Sequence, residues 1–182
     1  AYLRKFHTQT QCTMVPTRAL RTELRALGYE RLEVVARGVD TRLFDPGLHS
    51  NPLRAHWGAG PADLVVLVVG RLASEKNLDL ALDAFEAMRA ANDGVRLVFV
   101  GDGPMRESLE RRCPQAQFTG TLPQPELARC YASADLLLFP SLTETFGNVT
   151  LEALASGLPV LAFDCAAAAE WLVAELNGLG FQ

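Results

Sequence analysis

From Leu64 onward the chain alternates apolar runs with amphipathic stretches, and this alternation restricts the possible folds more than any other feature. Leu64 to Val69 is a continuous apolar run rich in β-branched residues, and Asn77 to Ala90 then sets Leu78, Leu82, Phe85 and Met88 on one helical face. The pattern continues with a strand at Arg96 to Val100, a helix at Met105 to Arg112, a short strand at Gln117 to Thr119 and a helix at Glu126 to Ala132. It closes with a strand at Asp135 to Phe139, a helix at Asn148 to Ser156, a strand at Pro159 to Phe163 and a helix at Ala166 to Leu176. Strands with no polar face, each separated by a single helix, predict a parallel sheet covered on both sides. The expected fold class is α/β, a doubly wound parallel sheet.

The chain ahead of this pattern reads differently. Thr17 to Leu27 carries Leu20, Leu24 and Leu27 at helical spacing, with Pro16 before it and Gly28 placed as a stop. A short extended segment follows at Leu32 to Ala36. Residues 37–62 are rich in turn formers, show neither period, and read as an irregular linker. The expected division is therefore 1–60, the tail of a preceding domain with its linker, and 61–182, the sheet domain. The start at Ala1, inside a polar stretch, suggests a piece of a longer protein.

Composition narrows the function. With 49% apolar residues and a net charge of -4, the 182-residue chain belongs among globular proteins, and no basic excess points to nucleic acid. The run at Leu64 falls far short of the roughly 20 residues of a membrane span. No leader is evident, so a soluble, cytoplasmic protein is expected, with peripheral attachment to the membrane open for the parent. Cys12, Cys113, Cys130 and Cys165 are scattered without metal-ligand spacing, and His7, His49 and His56 stand in terminal or linker segments. Reduced, mostly buried thiols and surface histidines are expected, with no metal site.

In doubly wound sheets ligands bind outside the carboxyl ends of the strands, which directs attention to five loops. Gly70-Arg71-Leu-Ala-Ser-Glu-Lys76 offers a guanidinium fork and a mobile ammonium, the pair a diphosphate requires. Taken alone it is equally a solvated loop with Lys76 paired to Glu75 or Asp79. Gly101-Asp-Gly-Pro104 fails as a dinucleotide fingerprint, because Arg106 stands where the third glycine belongs. It reads as a structural turn whose backbone lines the pocket. Gly120-Thr121-Leu122-Pro123 and Asp164-Cys-Ala-Ala are the quieter loops. The specific signal is Glu144-Thr-Phe146-Gly147-Asn148-Val149-Thr-Leu-Glu152. Two carboxylates flank a glycine turn and a helix start with free amides, a site for a ligand bearing both phosphate and hydroxyls, most simply a sugar nucleotide.

Taken in order, Val69 to Asn77, Val100 to Pro104, Ala132-Ser-Ala-Asp135, Pro140 to Asn148 and Glu152-Ala-Leu-Ala-Ser-Gly157 resemble the retaining GT-B glycosyltransferases of the family-four type. The likeness covers roughly residues 60–182, the Rossmann-like C-terminal half that binds the nucleotide sugar, with Arg37 to Phe44 similar to the crossing segment between the halves. It implies that Arg71 and Lys76 bind the donor diphosphate and stabilise the leaving nucleotide, and that Glu144 holds the transferred sugar. It likewise assigns the ribose to Glu152, phosphate and sugar contacts to Gly70, Phe146, Gly147, Asn148 and Val149, and the base to the backbone around Thr121 and Leu122. It implies no cofactor and no metal, a partner N-terminal domain carrying the acceptor site, and an inactive chain when alone. GDP-mannose is the first expectation for the donor, with UDP-glucose and UDP-sulfoquinovose next. The family often has glycines where this chain has Asp164-Cys-Ala-Ala-Ala-Ala. A non-catalytic interaction module on the same sheet, and a GT-B epimerase or phosphorylase, are the competing readings.

Overall fold

The computed structural model describes residues 2–141, 147–163 and 178–181. Six parallel strands form one sheet: β3 (Leu64–Val69), β4 (Val95–Val100), β5 (Gln117–Phe118), β6 (Leu136–Phe139), β7 (Val160–Phe163) and β8 (Gly178–Phe181). Their spatial order is β5-β4-β3-β6-β7-β8, so the chain winds outward from β3 in one direction and then returns to build outward from β6 in the other. The doubly wound expectation holds, and the reversal between β3 and β6 fixes where a ligand cleft can open. The predicted helix at Ala166 to Leu176 lies outside the described residues, and β8 was not anticipated: Gly178-Leu-Gly-Phe is too short and glycine-rich to read as a strand.

Residues alternate across the strands, and both faces are apolar. Val65, Leu67, Val69, Val98, Val100, Leu137 and Phe139 face one side, under α6 (Gln124–Ser133) and α7 (Asn148–Ala155). Val66, Val68, Leu97, Phe99 and Leu138 face the other, where α4 (Leu78–Ala91) contributes Leu78, Leu82 and Phe85, and α5 (Arg106–Arg112) contributes Leu109. The predicted α4 stripe thus buries as expected, although Met88 is only half-buried.

Ahead of the sheet the structure departs from the expectation. The polar opening folds as α1 (Tyr2–Thr8) and β1 (Thr13–Val15), and β1 pairs in parallel with β2 (Leu32–Val34) across α2 (Arg18–Ala26). Thr17 caps α2, its hydroxyl accepting from the Leu20 amide. The segment 37–62 is not irregular throughout. It holds a tight helical turn at Pro46–Leu48 and α3 (Asn51–His56), the latter capped by Ser50 and carrying a proline in its first turn. Six residues are too few to display an apolar period, which is why the helix was not visible.

Nor does this segment hang loosely. Phe44, Trp57 and Ala59 join the first core cluster. Arg54 is buried and donates to Ser133 O at 2.9 Å, to Asp135 Oδ2 at 2.8 Å and to Asp63 O at 2.6 Å. Asp135 Oδ2 also accepts from the Val65 amide at 2.7 Å. One guanidinium therefore ties α3 to the residues that precede β3 and β6, at the amino edge of the sheet.

Candidate functional site

The opposite edge carries the chemistry. β3 ends at Gly70, whose φ of 141° is open mainly to glycine. The space above it is clear apart from Lys76 Cε, 3.9 Å from where a Cβ would stand. Gly101, at the end of β4, has no such room, since an added Cβ would lie 1.9 Å from Gly70 O. Gly103 is pressed against the Leu72 backbone in the same way. The Gly101 to Pro104 loop is thus chiefly a packing element that buttresses the β3 loop, and its backbone lines the cleft beside it, as its sequence suggests.

Arg71 and Lys76 leave this buttressed loop at the reversal point of the sheet. A recess lined by Gly70, Arg71, Lys76, Phe139, Pro140 and Ser141 joins the end of β3 to the end of β6. Lys76 Nζ stands 5.6 Å from the centre of the Phe139 ring, a cation over an aromatic face. Glu75 pairs with Arg71 at 3.6 Å, with both side chains largely in water, so the contact is weak and a ligand can displace it. On the other side of Arg71 a cleft of about 310 Å³ is lined by Gly70, Arg71, Gly101, Asp102, Thr121, Leu122 and Leu127. The structure therefore brings Gly70 and Arg71 together with Lys76 in one direction and with Thr121 and Leu122 in the other.

α7 begins just beyond β6. Its first residue follows Gly147, at a φ of 84°, and no side chain caps it. The amides of the first turn, among them those of Asn148 and Val149, precede any intrahelical acceptor, and the helix dipole adds partial positive charge there. Glu144 and Phe146 lie outside the described residues. Glu152 lies in the second turn of α7, half-buried, and accepts a hydrogen bond from the Tyr131 hydroxyl at 2.9 Å. Burial pushes its carboxyl pKa above the ordinary value, and the Tyr131 hydrogen bond pulls the other way. Tyr131, fully buried, is pushed well up, by burial first and then by the neighbouring carboxylate.

Tyr131 is the partner of Glu152 that sequence reasoning missed. A tyrosine on the inward face of α6, in register with Ala128, reads as core. The available signal was that a buried phenol needs a partner for its hydroxyl. A cavity of about 630 Å³ lies between α3, β5 and α6. It shares Leu122 with the cleft beside Arg71 and none of the residues that line the recess at Lys76. Of the cysteines, Cys113 and Cys130 are buried and Cys12 is exposed; Cys165 is outside the described residues.

A family profile for glycosyl transferases group 1 matches residues 63–182. The chain belongs to that family. The matched residues are the C-terminal domain of a family-four-type GT-B glycosyltransferase, as the sequence resemblance implied. A GDP-mannose-dependent alpha-mannosyltransferase of Mycobacterium tuberculosis is 39% identical over 179 residues, a span covering 98% of this chain and 46% of that protein. A sulfoquinovosyl transferase of Arabidopsis thaliana is 39% identical over 166 residues, covering 88% of this chain and 32% of its own length. The chain thus spans from a third to about half the length of these curated relatives. Among solved structures, Anabaena HepE in complex with UDP and glucose superposes with a TM-score of 0.81 at 22% identity, covering 100% of this chain and 52% of that one. The likeness carries the glycosyltransferase fold.

Proposed function

We propose that the parent protein transfers a sugar from a nucleoside-diphosphate donor to an acceptor with retention of anomeric configuration, and that this chain supplies the donor-binding half. The observation that carries the reading is that Arg71 and Lys76 line one recess at the reversal point of the sheet, together with the end of β6, the strand that precedes the uncapped start of α7. A diphosphate placed there receives a guanidinium fork, an ammonium and backbone amides. Negative charge that develops on the leaving nucleotide is stabilised by the same groups. Those two cations supply the positive charge that a divalent metal supplies in other transferases, so the reading needs no metal. Glu152 accepts from the ribose hydroxyls, Glu144 from the transferred sugar, and the base occupies the cleft beside Thr121 and Leu122.

GDP-mannose is the preferred donor, because the Mycobacterium tuberculosis relative is named for it. UDP-linked glucose or sulfoquinovose is the alternative suggested by the other similar proteins. The acceptor site belongs to an N-terminal domain in the parent. The small β1-β2 sheet supports this, since two parallel strands with Met14, Leu27 and Val35 exposed around them form an unfinished unit. Among the described residues no helix is long and apolar enough to cross a membrane.

Product analysis of the full-length parent supplied with GDP-mannose tests the reading. A new mannoside with the donor's anomeric configuration, formed at an undiminished rate in the presence of a chelator, is the expected result. A sugar phosphate, an epimerised donor, an inverted glycoside or no turnover with any nucleotide sugar would refute it.

A further inference from the structure

We propose that Tyr131 is a positioning residue of the nucleotide site, its hydroxyl holding the Glu152 carboxylate in the orientation that a ribose diol requires. The inference rests on the assignment of Glu152 to the ribose. Glu152 is reached by a hydroxyl from the protein core: the Tyr131 ring is fully buried on α6 and donates to Oε2 at 2.9 Å. The ring is itself held edge-on by Phe44 of the linker, with centroids 5.8 Å apart. Ring and hydroxyl therefore have little freedom, and the carboxylate they hold has little more. One carboxylate oxygen is engaged by the hydroxyl, and acceptor capacity remains on the group for a ligand. A glutamate on a half-exposed helix face would otherwise sample several rotamers, and binding would have to order it.

The same bond favours the charged form of the carboxylate. Burial favours the protonated acid, and the donated hydrogen bond opposes it. Among the described residues, the titratable groups that face this pair are Tyr131 itself and, beside it on α6, Cys130, whose thiol is pushed up to about 11 by burial and stays neutral near neutrality. Removing the hydroxyl therefore raises the Glu152 pKa further and moves the acidic limb of nucleotide binding to higher pH.

The test is a ligand cycle. GDP, 2′,3′-dideoxy-GDP and the corresponding uridine pair are titrated by calorimetry into the native chain, Tyr131→Phe, Glu152→Ala and the double variant, from pH 5 to 8. The native chain prefers the ribose form. Tyr131→Phe weakens the ribose nucleotide about tenfold, leaves the dideoxy form unchanged, and shifts the acidic limb upward. In the Glu152→Ala background the tyrosine substitution has no further effect. Equal affinity of the Tyr131→Phe and native chains for GDP and UDP overturns the proposal, as does equal weakening toward ribose and dideoxy forms. A native chain indifferent to the ribose hydroxyls overturns the Glu152 assignment itself, and with it this inference, before any variant is compared.

Discussion

Replacing Arg54 by alanine removes three hydrogen bonds made by one buried guanidinium, to Ser133 O, Asp135 Oδ2 and Asp63 O. Truncating one member of a buried ion pair typically costs about 3–5 kcal/mol, because the remaining charge keeps its desolvation penalty. Here the residual charge is less isolated than usual: the Asp135 side chain is 38% exposed and retains the Val65 amide. The low end, about 3 kcal/mol, is therefore expected, which for a domain of this size lowers Tm by roughly 6–12 °C. Urea denaturation followed by circular dichroism and by the fluorescence of buried Trp57 reads the loss directly. Asp135→Asn, which keeps an acceptor for both Arg54 and Val65, costs less. The clamp lies at the amino edge of the sheet, away from Arg71 and Lys76, so the affinity of the folded variant for GDP is unchanged. A loss below about 1 kcal/mol would refute the reasoning, and would mean that the segment 37–62 is a strap resting on the domain, not part of its core.

Other consequences are equally checkable. Because burial raises the Glu152 pKa above its value in the unfolded chain, its contribution to stability is full in acid, below the ordinary value of 4.5, and is lost as pH rises through the folded pKa. Glu152→Gln should then raise Tm near pH 7.5, and the gain should vanish below about pH 4.5 in a pH series of thermal melts. Gly101→Ala forces a Cβ into the Gly70 carbonyl at a φ of 135°, so urea titration should show at least about 3 kcal/mol of lost stability. Gly38→Ala, with nothing within 4 Å, should be nearly neutral. Among Cys12, Cys113 and Cys130, iodoacetamide at pH 7.5 should label only Cys12 in the native chain and all three in urea, as read by mass spectrometry.

The sheet was legible in the sequence because parallel strands buried on both faces leave uninterrupted apolar runs, such as Leu64 to Val69, and because α4 is long enough to repeat its stripe. The linker helix was not: α3 has six residues, and its anchor is Arg54, a residue type whose burial no pattern announces. β1 and β2 have three residues each and gain their identity only by pairing with one another. The cations Arg71 and Lys76, the start of α7 and the loop at Thr121 could be placed because a doubly wound topology sends every carboxyl end to one edge. Glu152 could be named, but its partner could not, since the contact with Tyr131 joins two helices that periodicity treats as independent. Likewise the role of Gly101 emerges only when the β3 and β4 loops are seen backbone to backbone.

The account turns on a diphosphate docking between the β3 loop and the start of α7. Calorimetric titration of GDP and UDP into the native chain, Arg71→Ala and Lys76→Ala measures this most directly, with GMP and UMP as controls that lack the second phosphate. Weak but measurable binding of a diphosphate is expected for the native chain. Each substitution should weaken it about tenfold or more, by loss of a charge-assisted contact, with a much smaller effect on the monophosphate. Unchanged diphosphate affinity in both variants, with the native fold intact, would contradict the account.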